Sequence, residues 1–70
     1  MTRMFFDLAL KDATQYDYRG WFMSDIQGAR ERAEMLAFDV TCCDPEFPLS
    51  SVNVRDVEGR TLLSVPVPFV

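Results

Sequence analysis

The sequence predicts an α+β domain: four mainly antiparallel strands in the order ββαββ, with one helix packed on one face of the sheet. Three observations predict it. A D-x-x-G motif occurs twice, as Asp17-Tyr18-Arg19-Gly20 and Asp56-Val57-Glu58-Gly59. Each copy sits between stretches rich in aromatic or β-branched residues, as a turn between strands does. Residues 24–43, between the copies, repeat their apolar side chains at helical spacing. The plan is hairpin, helix, hairpin, within a single domain spanning residues 1–70.

Residues 3–10 alternate. Met4, Phe6, Leu8 and Leu10 share one face; Arg3, Phe5, Asp7 and Ala9 share the other. Period two with an apolar face predicts a half-buried strand. Phe5 is the exception on the polar face. Lys11-Asp12-Ala13 reads as a turn, and residues 14–18, rich in Thr and Tyr, as a second strand. Gly20 supplies the positive φ of a tight turn or bulge. Trp21-Phe22-Met23 reads either as a short strand or as an apolar lead-in to the helix.

Ser24 is a good N-cap, and Gln27 three residues later completes a capping box. Asp25 then lies in the first turn, where it favours the positive end of the helix dipole. Ile26, Ala29, Ala33, Leu36, Ala37 and Val40 form one apolar stripe, predicted to face the sheet. Arg30 and Glu34 are spaced as an i,i+4 pair. The helix is expected to end near Cys43, because Pro45 disfavours helical geometry at Asp44. A connector with two prolines follows, in which Phe47 is expected to tuck over the core edge.

Residues 50–56 and 60–67 form the second hairpin. Two registers compete. A three-residue loop places Val54 opposite Leu62; a two-residue loop places Val54 opposite Leu63 and Val52 opposite Val65. The second gathers Val52, Val54, Leu63, Val65 and Val67 on one face and is preferred. Pro66 and Pro68 lack N–H groups, so the last strand is an edge or leaves the ladder by Pro66.

At 70 residues the chain buries a small core, about 60% of its unfolded surface. Hydrophobic residues at 49% exclude a disordered chain. With 11 acids against 7 bases the net charge is −4. Glu34, Asp39, Asp44 and Glu46 fall in a stretch without Lys or Arg between Arg32 and Arg55. That half of the molecule repels phosphate backbones and anionic membranes. No stretch approaches 18 apolar residues. Met1-Thr2-Arg3 leads directly into a strand-like run, so no signal peptide is expected. The adjacent Cys42 and Cys43 are poorly placed for an ordinary disulfide. The expected compartment is a reduced cytoplasm, with one of the two thiols partly buried in the last helical turn.

Arg3-Met4-Phe5-Phe6-Asp7, Asp17-x-x-Gly20, Asp25 before an Ala- and Arg-rich helix, and Val52-x-Val54-x-Asp56-x-x-Gly59-Arg60 together form a pattern. It resembles a family of very small bacterial proteins, domain of unknown function 6894, over most of the chain. The resemblance implies no established activity, and no catalytic residue is carried over from it. Tyr18-Arg19, where family members tend to be acidic, Trp21, Cys42-Cys43 and the two-proline connector depart from the pattern.

There is no histidine. That removes the commonest general base, the Ser-His and Cys-His nucleophiles, and the usual nitrogen ligand of metals. No glycine-rich phosphate loop is present among three glycines. Asp17 and Asp56 are read as acceptors for turn backbone. Asp44, Glu46 and a cysteine match no defensible metal-ligand spacing. No enzyme activity, cofactor, metal or small-molecule ligand is therefore expected.

What remains is surface. Met35, Phe38 and Cys42 lie at i, i+3 and i+7, away from the Ile26 stripe. They are either a contact surface or scattered apolar residues, with Phe38 folding over a sheet edge. Phe5, together with one of the alternating sets of residues around Tyr16, Tyr18 and Trp21, is assigned to the open sheet face. Aromatics there serve some proteins as single-stranded RNA platforms, but few basic residues accompany them here. The leading expectation is a protein-interaction module and homodimer, with Phe5, Trp21, Met35 and Phe38 as interface residues. The alternative is a nucleic-acid-associated, antitoxin-like regulator, which requires Arg3, Arg19, Arg55 and Arg60 to converge on one surface.

Overall fold

A computed structural model describes residues 1–67. The elements are β1 (Thr2–Leu10), β2 (Thr14–Gln15), β3 (Trp21–Met23), α1 (Ile26–Cys43), β4 (Leu49–Arg55) and β5 (Thr61–Pro66). The sheet order is β2-β1-β4-β5, with β3 also paired to β1, and every pairing is antiparallel. The helix lies on one face. The α+β class and helix-on-sheet packing are as expected; the strand count is five rather than four, because the second strand is broken in two.

The break is local. Ala9 pairs with Thr14 and Leu8 with Gln15, but Met4 then pairs with Trp21. An unbroken ladder would place Arg19 opposite Met4, so two extra residues are looped out. The first D-x-x-G is therefore a bulge within an edge strand, the alternative that Gly20 allowed, and not a turn between two strands of a hairpin. The turn between β1 and β2 is at residues 11–13, closed by the Leu10 N–H donating to the Ala13 carbonyl at 2.7 Å.

The core forms where β1, β4 and β5 face α1. Met4, Phe6, Val52, Val54 and Val65 are buried against Ala29, Ala33 and Ala37. An alanine at every fourth position clears one side of the helix of bulk, so its backbone approaches the sheet closely. The predicted stripe is narrower than expected. Ile26 is 48% exposed, and Leu36 is half-buried beside the core. Asp25 is the N-cap, not Ser24: its Oδ1 accepts from the Gly28 N–H at 2.8 Å. That shift moves Gln27 out of capping-box position, and its amide donates instead to Glu31. Arg30 and Glu34 make no ion pair among the described residues. The helix ends at Asp44, whose N–H still donates to the Val40 carbonyl. Cys42 and Cys43 are both exposed, so neither is the partly buried thiol expected. Phe47 is half-buried.

The second hairpin uses both candidate registers. Arg55 pairs with Thr61 next to the loop, while Val54 pairs with Leu63 and Val52 with Val65 further along. A bulge between them absorbs Leu62. The strand needs the short-range register to close the Asp56 turn and the other to bury its valines. β5 is an edge strand, and the Val67 N–H bonds the Ser50 carbonyl beyond Pro66. Pro68 lies outside the described residues. Among the described residues no helix is long and apolar enough to cross a membrane.

Candidate interaction surface

The bulge is held by carboxylates. Asp17 Oδ1 accepts from the N–H groups of Arg19 (3.0 Å) and Gly20 (3.2 Å), and its Oδ2 from the N–H of Phe6 (3.2 Å) on β1. Gly20 has φ 75°, a conformation that favours glycine. The Asp17 N–H donates in turn to Asp7 Oδ1 at 2.9 Å. Asp7 is 3% exposed and is paired with Arg55, whose Nε donates to Asp7 Oδ2 at 2.8 Å. Arg55 Nη2 also donates to the Asp17 carbonyl at 3.3 Å. Partial burial disfavours the Asp17 carboxylate, but the N–H bonds from Gly20, Arg19 and Phe6, with the Arg55 charge, outweigh it and hold its carboxyl below the usual range. The hydrogen bond that Arg55 donates to Asp7 raises the Arg55 pKa above the usual arginine value. This network fixes the bulge to β1 and β4.

The bulge leaves the helix-side face of the sheet edge uncovered between Gln15 and Trp21. A cleft of about 320 Å³ opens there, lined by Phe6, Trp21, Arg32, Met35, Leu36 and Asp39. A second hollow of about 250 Å³ adjoins it across Phe6, Trp21 and Leu36. Together they form an apolar trough between α1 and the broken strand. Core residue Phe6 and half-buried Leu36 are in its lining. Trp21 is held on one wall, where the Arg32 guanidinium stacks 3.4 Å from its ring centroid. Met35, on the other wall, is 65% exposed, and Phe38 one turn further is 52% exposed.

The open sheet face is built differently. Phe5 points there, with the Arg55 guanidinium 4.6 Å and the Arg3 guanidinium 5.2 Å from its ring centroid. Arg55 also lies 5.6 Å from the Tyr16 ring. Phe22 pairs across from Arg3 and is exposed on this face. Further along the face is polar: Ser51 and Ser64 hydroxyls both donate to Asn53 Oδ1.

The four expected interface residues therefore separate. Trp21 and Met35 meet across the trough, with Phe38 on the same helix. Phe5 is on the opposite face of the sheet. Trp21 belongs to one of the sets read for the open face beside Phe5; its pairing with Met4 sets it on the helix side instead, because directly paired residues share a face. The bulge caused the error, since it resets which residues of the strand point inward. Arg32, Asp39 and Phe22 were missed for the same reason. Asp7 was placed on the polar face of β1 without a role; it is buried there against Arg55, a cross-strand arginine on the same face.

Of the four arginines required for a basic patch, Arg55 is paired with Asp7, and Arg60 with Asp56 and Glu58. Arg3 and Arg19 adjoin, with Arg3 Nε and Nη2 donating to the Arg19 carbonyl. Among the described residues no group of three or more Cys, Asp or Glu is placed to hold a metal ion. Comparison with family models, with curated proteins and with solved structures gives no match.

Proposed function

We propose that this chain is a small cytoplasmic protein-interaction module without catalysis of its own, working as a homodimer. The observation that carries the reading is the trough: exposed Trp21 and Met35 stand beside an opening that reaches core residue Phe6. An aromatic and a flexible thioether flanking an apolar hollow are the residue types that fill protein interfaces. Covering them removes apolar surface from water at about 25 cal/mol per Å² before association costs. A domain of 70 residues has little stability of its own to spare, so a second copy helps it directly. Kinship with the domain-of-unknown-function family, proposed on the D-x-x-G pattern, adds no competing activity.

The test is sedimentation equilibrium across micromolar to millimolar concentration. The expected result is a monomer–dimer equilibrium that Met35→Glu shifts to monomer while far-ultraviolet circular dichroism stays unchanged. A wild-type chain that remains monomeric throughout overturns the homodimer.

A second reading, a nucleic-acid-associated regulator, is favoured by one observation: among the described residues Arg3 and Arg19 carry no carboxylate partner, and they adjoin exposed Phe22 and Tyr18. It expects a labelled single-stranded oligonucleotide to bind with an affinity that falls steeply between low and moderate salt. Unchanged anisotropy on adding the protein at low salt rejects it.

A further inference from the structure

Arg32 and Asp39 lie seven residues apart, nearly two full helical turns, so they occupy one stripe of α1 roughly 10 Å apart. Both line the trough, and Met35 and Leu36 sit between them. Neither has an oppositely charged partner within its own chain among the described residues. Arg32 is instead held in place by its stack on Trp21. The stripe thus reads positive, apolar, negative along the helix, with its midpoint at Met35 and Leu36.

We propose that two copies pair through α1 side by side and antiparallel, about a two-fold axis passing near Met35. The inference rests on the homodimer reading and specifies its geometry. An isologous pair brings each surface against itself in reverse. Reversing this stripe sets Arg32 of each copy against Asp39 of the other, twice, with the two Met35 side chains between them at the mouths of the troughs. A parallel pair would instead set Arg32 against Arg32 and Asp39 against Asp39.

With a net charge of −4 on each copy, association is opposed unless opposite charges meet at the contact, as they do in the two Arg32–Asp39 pairs of the antiparallel arrangement.

The experiment is a charge swap read by native mass spectrometry and sedimentation. Arg32→Glu alone sets Glu against Asp39 in both contacts; Asp39→Arg alone sets Arg against Arg32. Each is expected to weaken its own dimer about tenfold or more. Mixed together, the two variants form heterodimers in which both contacts are of opposite sign, so the mixture returns to near wild-type affinity as heterodimer. Asp39→Arg leaves the Trp21 stack untouched, so its behaviour is separate from any folding defect of Arg32→Glu. A wild-type dimer that both single variants preserve, or a mixture with no preference for heterodimers, overturns this geometry while the homodimer stands. A wild-type chain that stays monomeric overturns both.

Discussion

The two D-x-x-G segments share four letters of pattern and do different work. At residues 56–59 the motif is a hairpin turn. Asp56 Oδ1 accepts from the N–H groups of Glu58 and Arg60, both at 2.9 Å, and among the described residues the partners of its carboxylate lie within residues 58–60. At residues 17–20 the motif is an insertion in an edge strand, and Asp17 reaches back to the Phe6 N–H eleven residues earlier. The common element is an aspartate that captures the N–H groups ahead of it, closed by a glycine with positive φ, 75° at Gly20 and 88° at Gly59. What differs is the chain on either side. Two facing β-strands turn this unit into a hairpin; a single strand already paired to β1 turns it into a bulge. The bulge is what uncovers the trough.

The bulge is served by Arg55 and Arg3 and the hairpin turn by Arg60, and the contrast between Arg55 and Arg60 should be largest. Arg55 binds Asp7 and the Asp17 carbonyl, and its loss leaves the buried Asp7 carboxylate without its counter-charge. Arg55→Ala should cost about 3 kcal/mol, at the low edge for a broken buried pair because the Arg55 side chain retains 24% exposure. Arg55→Lys keeps the charge but not the fork that spans both acceptors, and should recover only part. Arg60 is far more exposed, and Arg60→Ala should barely move a urea midpoint. Equal midpoints for Arg55→Ala and Arg60→Ala would show that the two loops are equivalent after all.

The aspartates come next. Asp17→Ala removes the acceptor of three N–H groups, one of them on β1, and should cost about 2 kcal/mol. Asp56→Ala loses local bonds only and should cost less. Both carboxyls sit below their ordinary value when folded, Asp56 chiefly through the Arg60 N–H bond and despite its burial. Their contribution to stability is therefore complete above the unfolded carboxyl pKa of about 3.9 and is lost as pH falls through the lower folded values. Urea midpoints should be flat from neutral pH to about 5 and fall below about 4. Asp17→Ala should flatten that acid limb more than it changes the neutral plateau's slope. An acid limb identical to wild type would remove Asp17 from the network.

How much of this was legible in the residues follows the same division. The second hairpin was read almost completely, because alternating valines on β4 and β5 specify a face and a register. Its one surprise, the bulge at Leu62, reconciles two registers that were both visible. The helix was found by its period, yet its cap was misplaced by one residue, since Ser24 and Asp25 are equally good acceptors and only the Gly28 N–H chooses between them. The broken edge strand was not legible. A bulge leaves no periodic trace: period two holds on each side of it, and its length decides which side chains face the helix. That uncertainty moved Trp21 to the wrong face and hid the trough with it. Trp21 and Met35 were singled out as surface residues and are exposed, but their meeting across the trough depends on the two looped-out residues and on nothing local to either.

The smallest contrast lies in the glycines and isolates the backbone itself. Both adopt left-handed φ, so an added Cβ costs each loop about 1 kcal/mol of strain. Their surroundings then separate them. A Cβ on Gly20 would lie 3.1 Å from the Met4 carbonyl oxygen and from Arg3 Cγ and Nε. The arginine can yield; the β1 carbonyl is held in the sheet. A Cβ on Gly59 meets nothing within 4 Å. Gly20→Ala should therefore exceed Gly59→Ala by roughly 1 kcal/mol, the usual scale of a modest overpacking. Asn sharpens the comparison, since it tolerates left-handed φ better than alanine does. Gly59→Asn should be close to neutral, while Gly20→Asn should remain costly because its barrier is contact rather than torsion. If Asn rescues both positions equally in urea denaturation, the tight packing of the bulge against β1 is wrong, and with it the reason the edge strand stays broken.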